Sequence, residues 1–333
     1  MAVRPRPLGG SGLVAGPIGF NAVSFTVGCG RVDRDDATAI VSQLYDLDDP
    51  LVDATDLTGA GVVEALLGRG LRRRRDGIVL ASRCGARYSE RGELTAVDGR
   101  PASVLRACDT TLRRLHTDHL DLYFLDRVDP RVPIEESVGA LADLVTAGKI
   151  RQVGLSHVDA VQLRRGCAVH PVAVVAVDYS LLDRRVELEL LPAARSLGVG
   201  VAAYRPLGSG LLTGSLSSLD QLAVDDYRRA DPRFQPRAFA RALTVARAAE
   251  RLASQRHLSV GRLALTWLLA QGSDIVALPG TRSLTHLEMN LAAAEVTLTA
   301  DERSRLASLT PPRPRAQRAA GTARERAPRA RRD

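Results

Sequence analysis

Residues 102–156 read ASVLRACDTTLRRLHTDHLDLYFLDRVDPRVPIEESVGALADLVTAGKIRQVGLS and alternate between two patterns. Apolar residues recur at helical spacing in Ala102–Leu115 and again in Ile134–Thr146. Each of these stretches is followed by a short run rich in apolar residues, first Leu120–Asp126 and then Gln152–Ser156. Because strands that are buried on both faces lack a strict alternation of polar and apolar residues, these runs indicate a parallel sheet covered by helices.

The same alternation continues in both directions along the chain. Further runs indicate strands at Pro17–Asn21, Leu51–Thr55, Ile78–Arg83, Val172–Asp178, Val199–Tyr204 and Ile275–Pro279, and helical patterns cover Asp36–Tyr45, Gly61–Arg74 and Val186–Leu197. Eight strands, most of them followed by a helix, predict an α/β fold with a single closed (β/α)8 barrel, the TIM barrel. A doubly wound open sheet is the alternative, but no GxGxxG motif follows the first strand.

The barrel is predicted to occupy residues 1–310 as one domain. The segment Leu207–Arg237 is too long for an ordinary loop between a strand and a helix, which predicts an insertion over the barrel mouth. The tail 311–333 is predicted to be disordered, because it is rich in arginine, alanine and proline and has no apolar periodicity. Eight arginines and two acids give Arg313–Asp333 +6 of the formal net charge of +8. No aromatic residue lies among these arginines, so the tail is not predicted to bind nucleic acid.

The rest of the composition excludes several other classes of protein. No apolar run approaches the roughly 18 residues that a membrane-spanning helix needs, and the first residues lack the apolar core of a signal peptide. The cysteines Cys29, Cys84, Cys108 and Cys167 lie far apart without metal-ligand spacing, so neither a metal site nor a disulfide framework is predicted. The sequence therefore predicts a cytoplasmic protein whose partner is a small-molecule substrate rather than nucleic acid or a membrane.

Polar side chains are dense at the predicted carboxyl ends of the strands, where (β/α)8 barrels carry their chemistry. They are Asp53, Arg83, Asp126, Ser156, His157, Asp178, Tyr204, Arg205 and Arg282. Each has a structural explanation of its own, since an aspartate can cap the next helix and an arginine can neutralise a carboxylate. Their convergence on one face of the barrel instead predicts a binding pocket.

Several motifs of this sequence resemble those of the aldo-keto reductases. In chain order they are LGGSGLVAGPIGF (8–20), VDATDLTGAG (52–61), IVLASRCG (78–85), the stretch 107–156 that contains DRVDP, DYSLL (178–182), AYRPLGSGLLTG (203–214), DPRFQ (231–235) and LPGTRSLTHLEMNLAA (278–293). The second, third and fourth are similar to the family's FDTADxYG, VVLATKxG and HRVDP. The resemblance covers roughly residues 5–310 and implies the family's barrel, while function has to be argued from the site.

The resemblance also implies where the family's four catalytic residues fall. The family uses a tyrosine as proton donor, a lysine and an aspartate that tune it, and a histidine that orients the carbonyl. The aspartate is matched by Asp53, whereas Thr58, Arg83 and Asp126 stand at the tyrosine, lysine and histidine positions. An aliphatic hydroxyl does not release a proton near neutral pH, a guanidinium does not deprotonate, and a carboxylate repels the charge that develops on a carbonyl oxygen. The ordinary reductase mechanism is therefore predicted to be lost.

The cofactor positions that the resemblance implies are altered as well. The family holds the nicotinamide amide with a Ser-Asn pair and a Gln, and the matching residues are Ser156, His157 and Ala176. The stacking aromatic is kept as Tyr204, and Arg282 and Asn290 are kept in the adenosine-phosphate segment, whereas His286 and Met289 replace an Arg and a Glu. These changes predict a protein without a cofactor. The alternative is NADP(H) held by the retained residues Ser156, Tyr204, Arg282 and Asn290.

Together these changes predict that the barrel performs non-redox acid/base chemistry, namely dehydration, isomerisation or cyclisation of a small molecule in specialised metabolism. Two carboxylates beside a cation can act as general acid and base when their environments separate their pKa values. The predicted catalytic residues are Asp53, Arg83, Asp126 and His157, and the predicted substrate-pocket residues are Thr58, Asp178, Tyr204 and Arg205. Two alternatives stay open: an NADPH-dependent oxidoreductase of carbonyl substrates with a rearranged active site, and a non-catalytic binding or regulatory subunit.

Overall fold

The barrel of this chain, seen in a computed structural model, is built from eight parallel strands that follow one another around the sheet in chain order. The strands are β1 (Arg6–Pro7), β2 (Val14–Ala15), β3 (Phe20–Asn21), β4 (Leu51–Asp53), β5 (Val79–Cys84), β6 (Ala86–Tyr88), β7 (Leu94–Val97), β8 (Leu120–Leu125), β9 (Ile150–Ser156), β10 (Val172–Asp178), β11 (Gly200–Tyr204) and β12 (Ile275–Leu278). All except the hairpins β1–β2 and β6–β7 belong to the barrel, and a parallel bridge from Ile18 to Ala277 joins its two edges. The prediction of a (β/α)8 barrel is confirmed.

Helices follow the barrel strands and form the outer layer. They are α1 (Arg34–Tyr45), α2 (Val62–Leu71), α3 (Pro101–Leu115), α4 (Ile134–Thr146), α5 (Ala160–Val169), α6 (Leu190–Ser196), α7 (Pro236–Ser254), α8 (Val260–Leu269), α9 (Leu284–Leu291) and α10 (Ala300–Leu309). Several begin at a side chain that accepts hydrogen bonds from the first turn, as Asp159 does for α5 and Thr299 for α10. These capping residues set where the helices start after each strand.

The structure describes residues 4–312 apart from 26–32, 48, 57, 59, 72–74, 90–92 and 225. The predicted disordered tail beyond residue 312 and Cys29 lie outside the described residues. Cys84, Cys108 and Cys167 are free thiols. None of the described helices is long and apolar enough to cross a membrane.

Strand residues alternate between the inside of the barrel and the surrounding helices. Leu122 and Phe124 of β8 pack inside the barrel, whereas Tyr123 and Leu125 of the same strand pack in the outer layer. All four side chains are fully buried. Both faces of the strand are therefore apolar, which explains the apolar runs in the sequence.

The β1–β2 hairpin packs against the amino-terminal end of the barrel. Leu8 is fully buried among the interior side chains, and the Gly10 amide donates to the Gly198 carbonyl at 2.7 Å. Gly9 has a φ of +66°, and a Cβ there would lie 2.2 Å from the Gly198 oxygen, so this approach requires glycine. The hairpin covers this end, which leaves the opposite face to the chemistry.

Two segments at the opposite face are more elaborate than simple loops. The β6–β7 hairpin follows β5 and has no counterpart among the predicted elements. The segment Leu207–Arg237 contains several short 3-10 turns before it enters α7. Its role as an insertion over the barrel mouth stays a prediction.

Candidate active site

Three charged side chains meet where β4, β5 and β8 end. Arg83 on β5 lies between Asp53, the last residue of β4, and Asp126, which follows β8. Arg83 Nη2 donates to Asp53 Oδ2 at 2.8 Å, and Nη1 donates to Asp126 Oδ1 at 2.5 Å. Asp53 is 0% exposed and Asp126 is 2% exposed. The structure thus brings together three of the four residues that were predicted to be catalytic.

The Arg83 guanidinium is enclosed on its remaining sides. Its Nε donates to Thr55 Oγ1 at 2.9 Å, and its Cζ lies 4.5 Å from the Tyr204 ring centroid and 5.4 Å from that of Phe124. The Tyr204 hydroxyl donates to Asp53 Oδ2. Cations stack favourably on aromatic rings, and more strongly when they are desolvated. Arg83 is therefore a fixed, buried cation beneath the site.

The ionisation of Asp126 depends on these neighbours. Burial alone would raise the pKa of its carboxyl, but the Arg83 cation and hydrogen bonds from His157 and Tyr88 outweigh burial and lower the pKa below its usual range. Asp126 is consequently a carboxylate at neutral pH and has no proton to donate. This geometry removes the physical basis for using Asp126 as the acid of a two-carboxylate pair.

Asp126→Asn is expected to make the free energy of unfolding depend less strongly on pH in acid. A carboxyl whose pKa is lowered on folding stabilises the protein above its unfolded pKa, which is about 4, and this contribution disappears as the pH falls through the lower folded value. The free energies of unfolding of wild type and variant, measured by urea titration, should therefore differ by a constant amount above about pH 5, and the difference should shrink as the pH falls below about 4. A difference that stays constant below that pH as well would show that Arg83 does not hold Asp126 ionised.

Ser156 and His157 extend the cluster from the end of β9. His157 Nδ1 lies 3.1 Å from Ser156 Oγ, 3.1 Å from the Asp126 carbonyl oxygen and 3.6 Å from Asp126 Oδ1. Ser156 Oγ also accepts a 3.4 Å hydrogen bond from Arg83 Nη1. His157 has a φ of +51°, in the left-handed region that few side chains adopt. The fourth residue predicted to be catalytic therefore lies against Asp126.

Two hydroxyl groups near the cluster are held differently from each other. Thr58 donates from Oγ1 to Asp56 Oδ1 at 2.7 Å, as part of a local turn. Tyr88 on β6 donates to Asp126 Oδ2 at 2.7 Å and accepts from Arg127 Nε at 2.9 Å. Tyr88 was missed in the sequence, because it lies in a loop hairpin rather than at a strand end. The only signal that the sequence offers for it is its position shortly after the strand-end residue Arg83.

The cluster opens into a cavity of about 1410 Å³ at the barrel mouth. Of the residues predicted for the site, the cavity is lined by Thr58, Arg83, Asp126, Ser156, His157, Asp178, Tyr204, Arg205, Arg282 and Asn290. Asp53 is not part of this lining and is linked to the cavity through Arg83 and Tyr204, which both bond it. Arg205 pairs with Asp178 at 3.0 Å. One continuous space therefore joins residues from most strand ends.

The wall formed by α9 and the residues before it presents polar side chains to the cavity. Asn290 is 8% exposed and lines the cavity, and its carboxamide has no hydrogen-bond partner among the described residues. Arg282 lines the same wall and forms no ion pair with another described residue. A carboxamide and a guanidinium that face a cavity without protein partners suit a ligand with hydrogen-bonding and anionic parts. In the described part of the chain, no group of three or more His, Cys, Asp or Glu side chains is placed to hold a metal ion.

Comparison with known proteins gives a consistent result. The sequence profile of the Aldo/keto reductase family matches residues 17–311. A protein of Schizosaccharomyces pombe (strain 972), aldo-keto reductase yakc with NADP(+) in its name, is 36% identical over 304 residues, which cover 90% of this chain and 88% of that protein. A glycerol dehydrogenase from Gluconobacter oxydans has a similar structure, with a TM-score of 0.81 and 26% identity over 95% of this chain and 99% of that one. An aldo/keto reductase from Klebsiella pneumoniae, solved in complex with NADP and acetate, gives a TM-score of 0.70 at 26% identity over the same shares.

These relatives correct two predictions made from the sequence. The prediction of non-redox dehydration, isomerisation or cyclisation is wrong, because the relatives are named as reductases and a dehydrogenase, which favours the oxidoreductase alternative. The prediction that no cofactor is used is also wrong, because one relative carries NADP(+) in its name and another holds NADP. The geometry gives a physical reason for each correction. Arg83 keeps Asp126 from acting as an acid, and Arg282 and Asn290 still present polar groups to the cavity.

Proposed function

Because the chain belongs to the aldo/keto reductase family, we propose that it is an NADP(H)-dependent oxidoreductase that interconverts a small carbonyl compound and its alcohol. The observation that carries this proposal is the cavity, which joins the Arg83 cluster to the polar wall of α9 in one space of about 1410 Å³. Pockets for drug-sized ligands usually measure about 300–1,000 Å³. The cavity therefore has room for a dinucleotide and a small substrate together.

The residues that line the cavity fit an NADP(H) molecule. The unpartnered carboxamide of Asn290 offers a donor and an acceptor to the adenine base, and the guanidinium of Arg282 suits a phosphate. Ser156 and Tyr204, at the other side of the cavity, would hold the nicotinamide. When it is bound there, NADPH supplies a hydride to the substrate carbonyl.

The charges beside the substrate limit where its oxygen can lie. Asp53, Arg83 and Asp126 have a formal charge of −1 as a group, and Arg127 beside them adds a cation. Negative charge develops on a carbonyl oxygen as it is reduced, and preorganised cations and hydrogen-bond donors stabilise that charge. The oxygen is therefore favoured on the Arg127 side of the cluster.

NADPH binding and oxidation test this proposal directly. The wild-type protein should bind NADPH with a micromolar dissociation constant in a fluorescence titration. With 4-nitrobenzaldehyde or glyceraldehyde as probe, it should oxidise NADPH faster than the same mixture without protein or without carbonyl. A titration that detects no NADPH binding would overturn the proposal.

Arg282→Ala is expected to weaken NADPH binding about tenfold, since it removes a charge-assisted hydrogen bond to phosphate. NADH lacks the 2′-phosphate of NADPH, so its dissociation constant should change less. Arg303→Ala, which removes an exposed arginine on α10 outside the cavity lining, is the matched control and should leave both constants unchanged. Unchanged NADPH binding in Arg282→Ala would remove this residue from the cofactor site.

We further propose that segment 207–237 acts as the mouth loop of a barrel domain that spans residues 1–310. Leu207, Gly210 and Thr213 of this segment line the cavity, as do Tyr227 and Arg228 further along it. Long loops at the carboxyl end of barrel strands commonly shape the ligand site. Substitution of an exposed cavity residue of this loop, such as Thr213, should therefore change the free energy of NADPH or substrate binding more than the free energy of unfolding.

A further inference from the structure

Tyr88 is held against the active-site cluster by the β6–β7 hairpin. Its hydroxyl lies between a carboxylate and a cation, since it donates to Asp126 Oδ2 at 2.7 Å and accepts from Arg127 Nε at 2.9 Å. The Arg127 Cζ also lies 5.9 Å from the Tyr88 ring centroid. Both side chains are half-buried and both line the cavity. A phenol hydroxyl with a positioned cation is thus available at the substrate side of the cluster.

Three other groups of the site, Thr58, Asp126 and Tyr204, are less suited than Tyr88 to give a proton to a substrate. Thr58 is an aliphatic alcohol, which is far less acidic than a phenol and does not release a proton near neutral pH. Asp126 is held as a carboxylate by Arg83. Tyr204 donates to the buried Asp53, and Arg83 stacks on its ring instead of donating to its hydroxyl.

We propose that Tyr88 is the proton donor of this active site, supplied by the β6–β7 hairpin in place of the residue that Thr58 replaces. This inference rests on the proposed oxidoreductase function. During reduction, Tyr88 gives its Oη proton to the carbonyl oxygen while the carbonyl carbon takes the hydride from NADPH. The C=O π bond breaks, a C–H and an O–H bond form, and the carbonyl is reduced to an alcohol as NADPH is oxidised to NADP(+). The phenolate of Tyr88 then recovers a proton from water.

The two charged neighbours of Tyr88 act on its hydroxyl in opposite directions. Burial and the Asp126 carboxylate raise the pKa of Tyr88 to about 12, against the opposing effect of Arg127. Tyr88 is therefore a phenol at neutral pH, which is the form that reduction requires. Arg127 donates to the oxygen that becomes negative, so it stabilises the phenolate as it forms. Arg83 and His157 act on Tyr88 only through Asp126, which they contact directly.

These charges also predict opposite pH dependences for the two directions of the reaction. Reduction needs the phenol, so its rate should not fall on the alkaline side through Tyr88 ionisation below about pH 11. Alcohol oxidation needs the phenolate as base, so its rate should rise with pH through the same range. Asp126→Asn removes the carboxylate that raises the pKa of Tyr88 and should shift the rise of the oxidation rate to lower pH.

Tyr88→Phe in the full-length protein tests the proposal. It should lower kcat for the NADPH-dependent reduction of 4-nitrobenzaldehyde by about 10²–10⁴-fold, the usual contribution of a general acid. The NADPH dissociation constant should stay within about twofold of wild type, because Tyr88 contacts the cluster and not the α9 wall. Arg127→Gln should also reduce kcat, whereas Arg127→Lys, which keeps the cation, should retain more of it.

Tyr179→Phe is the matched control. Tyr179 is likewise a phenol that donates to an arginine-paired carboxylate, Glu187, at 2.8 Å, but it is more deeply buried than Tyr88 and does not line the cavity. Tyr179→Phe removes a similar hydrogen bond, so it should lower the free energy of unfolding at least as much as Tyr88→Phe does. Its kcat should stay within about twofold of wild type. If wild type binds and oxidises NADPH and Tyr88→Phe keeps more than about one fifth of its kcat, the assignment of Tyr88 is wrong and the oxidoreductase function stands. If wild type neither binds nor oxidises NADPH, the proposed function fails and this assignment fails with it.

Discussion

Arg83→Met is expected to lower the free energy of unfolding by about 3–5 kcal/mol, the usual result of removing one partner from a buried ion pair. Methionine fills much of the volume of arginine but leaves Asp53 and Asp126 buried without a cation. The rings of Tyr204 and Phe124 also lose the charge that they enclose. Denaturant unfolding at neutral pH measures the change.

Two further variants separate the charge of Arg83 from its packing. Arg83→Lys keeps the charge but cannot bond both carboxylates in the same way, so it should cost less than Arg83→Met. Adding Asp126→Asn to Arg83→Met removes one stranded carboxylate and should restore part of the lost stability. A cost below about 1 kcal/mol for Arg83→Met, the range of an exposed ion pair, would contradict the description of Arg83 as a fixed buried cation.

Gly154→Val is expected to destabilise the barrel by about 3 kcal/mol, at the upper end of what overpacking usually costs. A Cβ on Gly154 would lie 2.3 Å from Cδ1 of Phe124, and the ring of Phe124 in turn packs against Arg83. The ring is fully buried inside the barrel, so it cannot move aside without disturbing its neighbours. Thermal or denaturant unfolding gives the change in stability, and NADPH oxidation reports displacement of the cluster.

Gly139→Ala is the matched control, and its effect on the free energy of unfolding should have the opposite sign to that of Gly154→Val. Gly139 lies within α4, and no atom lies within 4 Å of the position that its Cβ would take. Alanine is favoured over glycine in a helix by about 0.5–1 kcal/mol, so this variant should be more stable than wild type. Equal effects of the two substitutions would show that the contact with Phe124 does not limit the space at Gly154.

The barrel and the location of its site are predictable because they rest on patterns that are repeated along the chain. The predicted runs Leu120–Asp126 and Val172–Asp178 coincide with β8 and β10 to within one residue. The carboxyl ends of barrel strands lie on one face, so the positions of Asp53 and Arg83 at two strand ends are enough to predict that they meet. Many residues contribute to each of these inferences, so one residue that breaks the pattern does not change them.

The reaction class and the cofactor requirement were predicted wrongly because they were inferred from single positions and not from the contacts between segments. The residues at positions 58 and 126 led to the prediction that the site lacks a proton donor, but that argument does not exclude a donor from another loop, and Tyr88 reaches Asp126 from the β6–β7 hairpin. The changes predicted at the nicotinamide positions likewise do not exclude a cofactor, because Arg282 and Asn290 line the cavity with polar groups. Contacts between distant segments, such as that of Tyr88 with Asp126, have no pattern in the local sequence.

For this chain, hydrophobic periodicity was sufficient to predict the (β/α)8 barrel, since every strand and helix must bury apolar residues. The predicted strand ends then identified the functional face. The pairing of the site groups emerged only in the folded chain. Arg83 bonds Asp53 and Asp126, which lie 30 and 43 residues away, and Tyr88 bonds Asp126 across 38 residues. The direction of these side chains is set by the packing of elements that are distant in sequence, and electrostatic coupling over a few ångströms then determines which groups hold their protons.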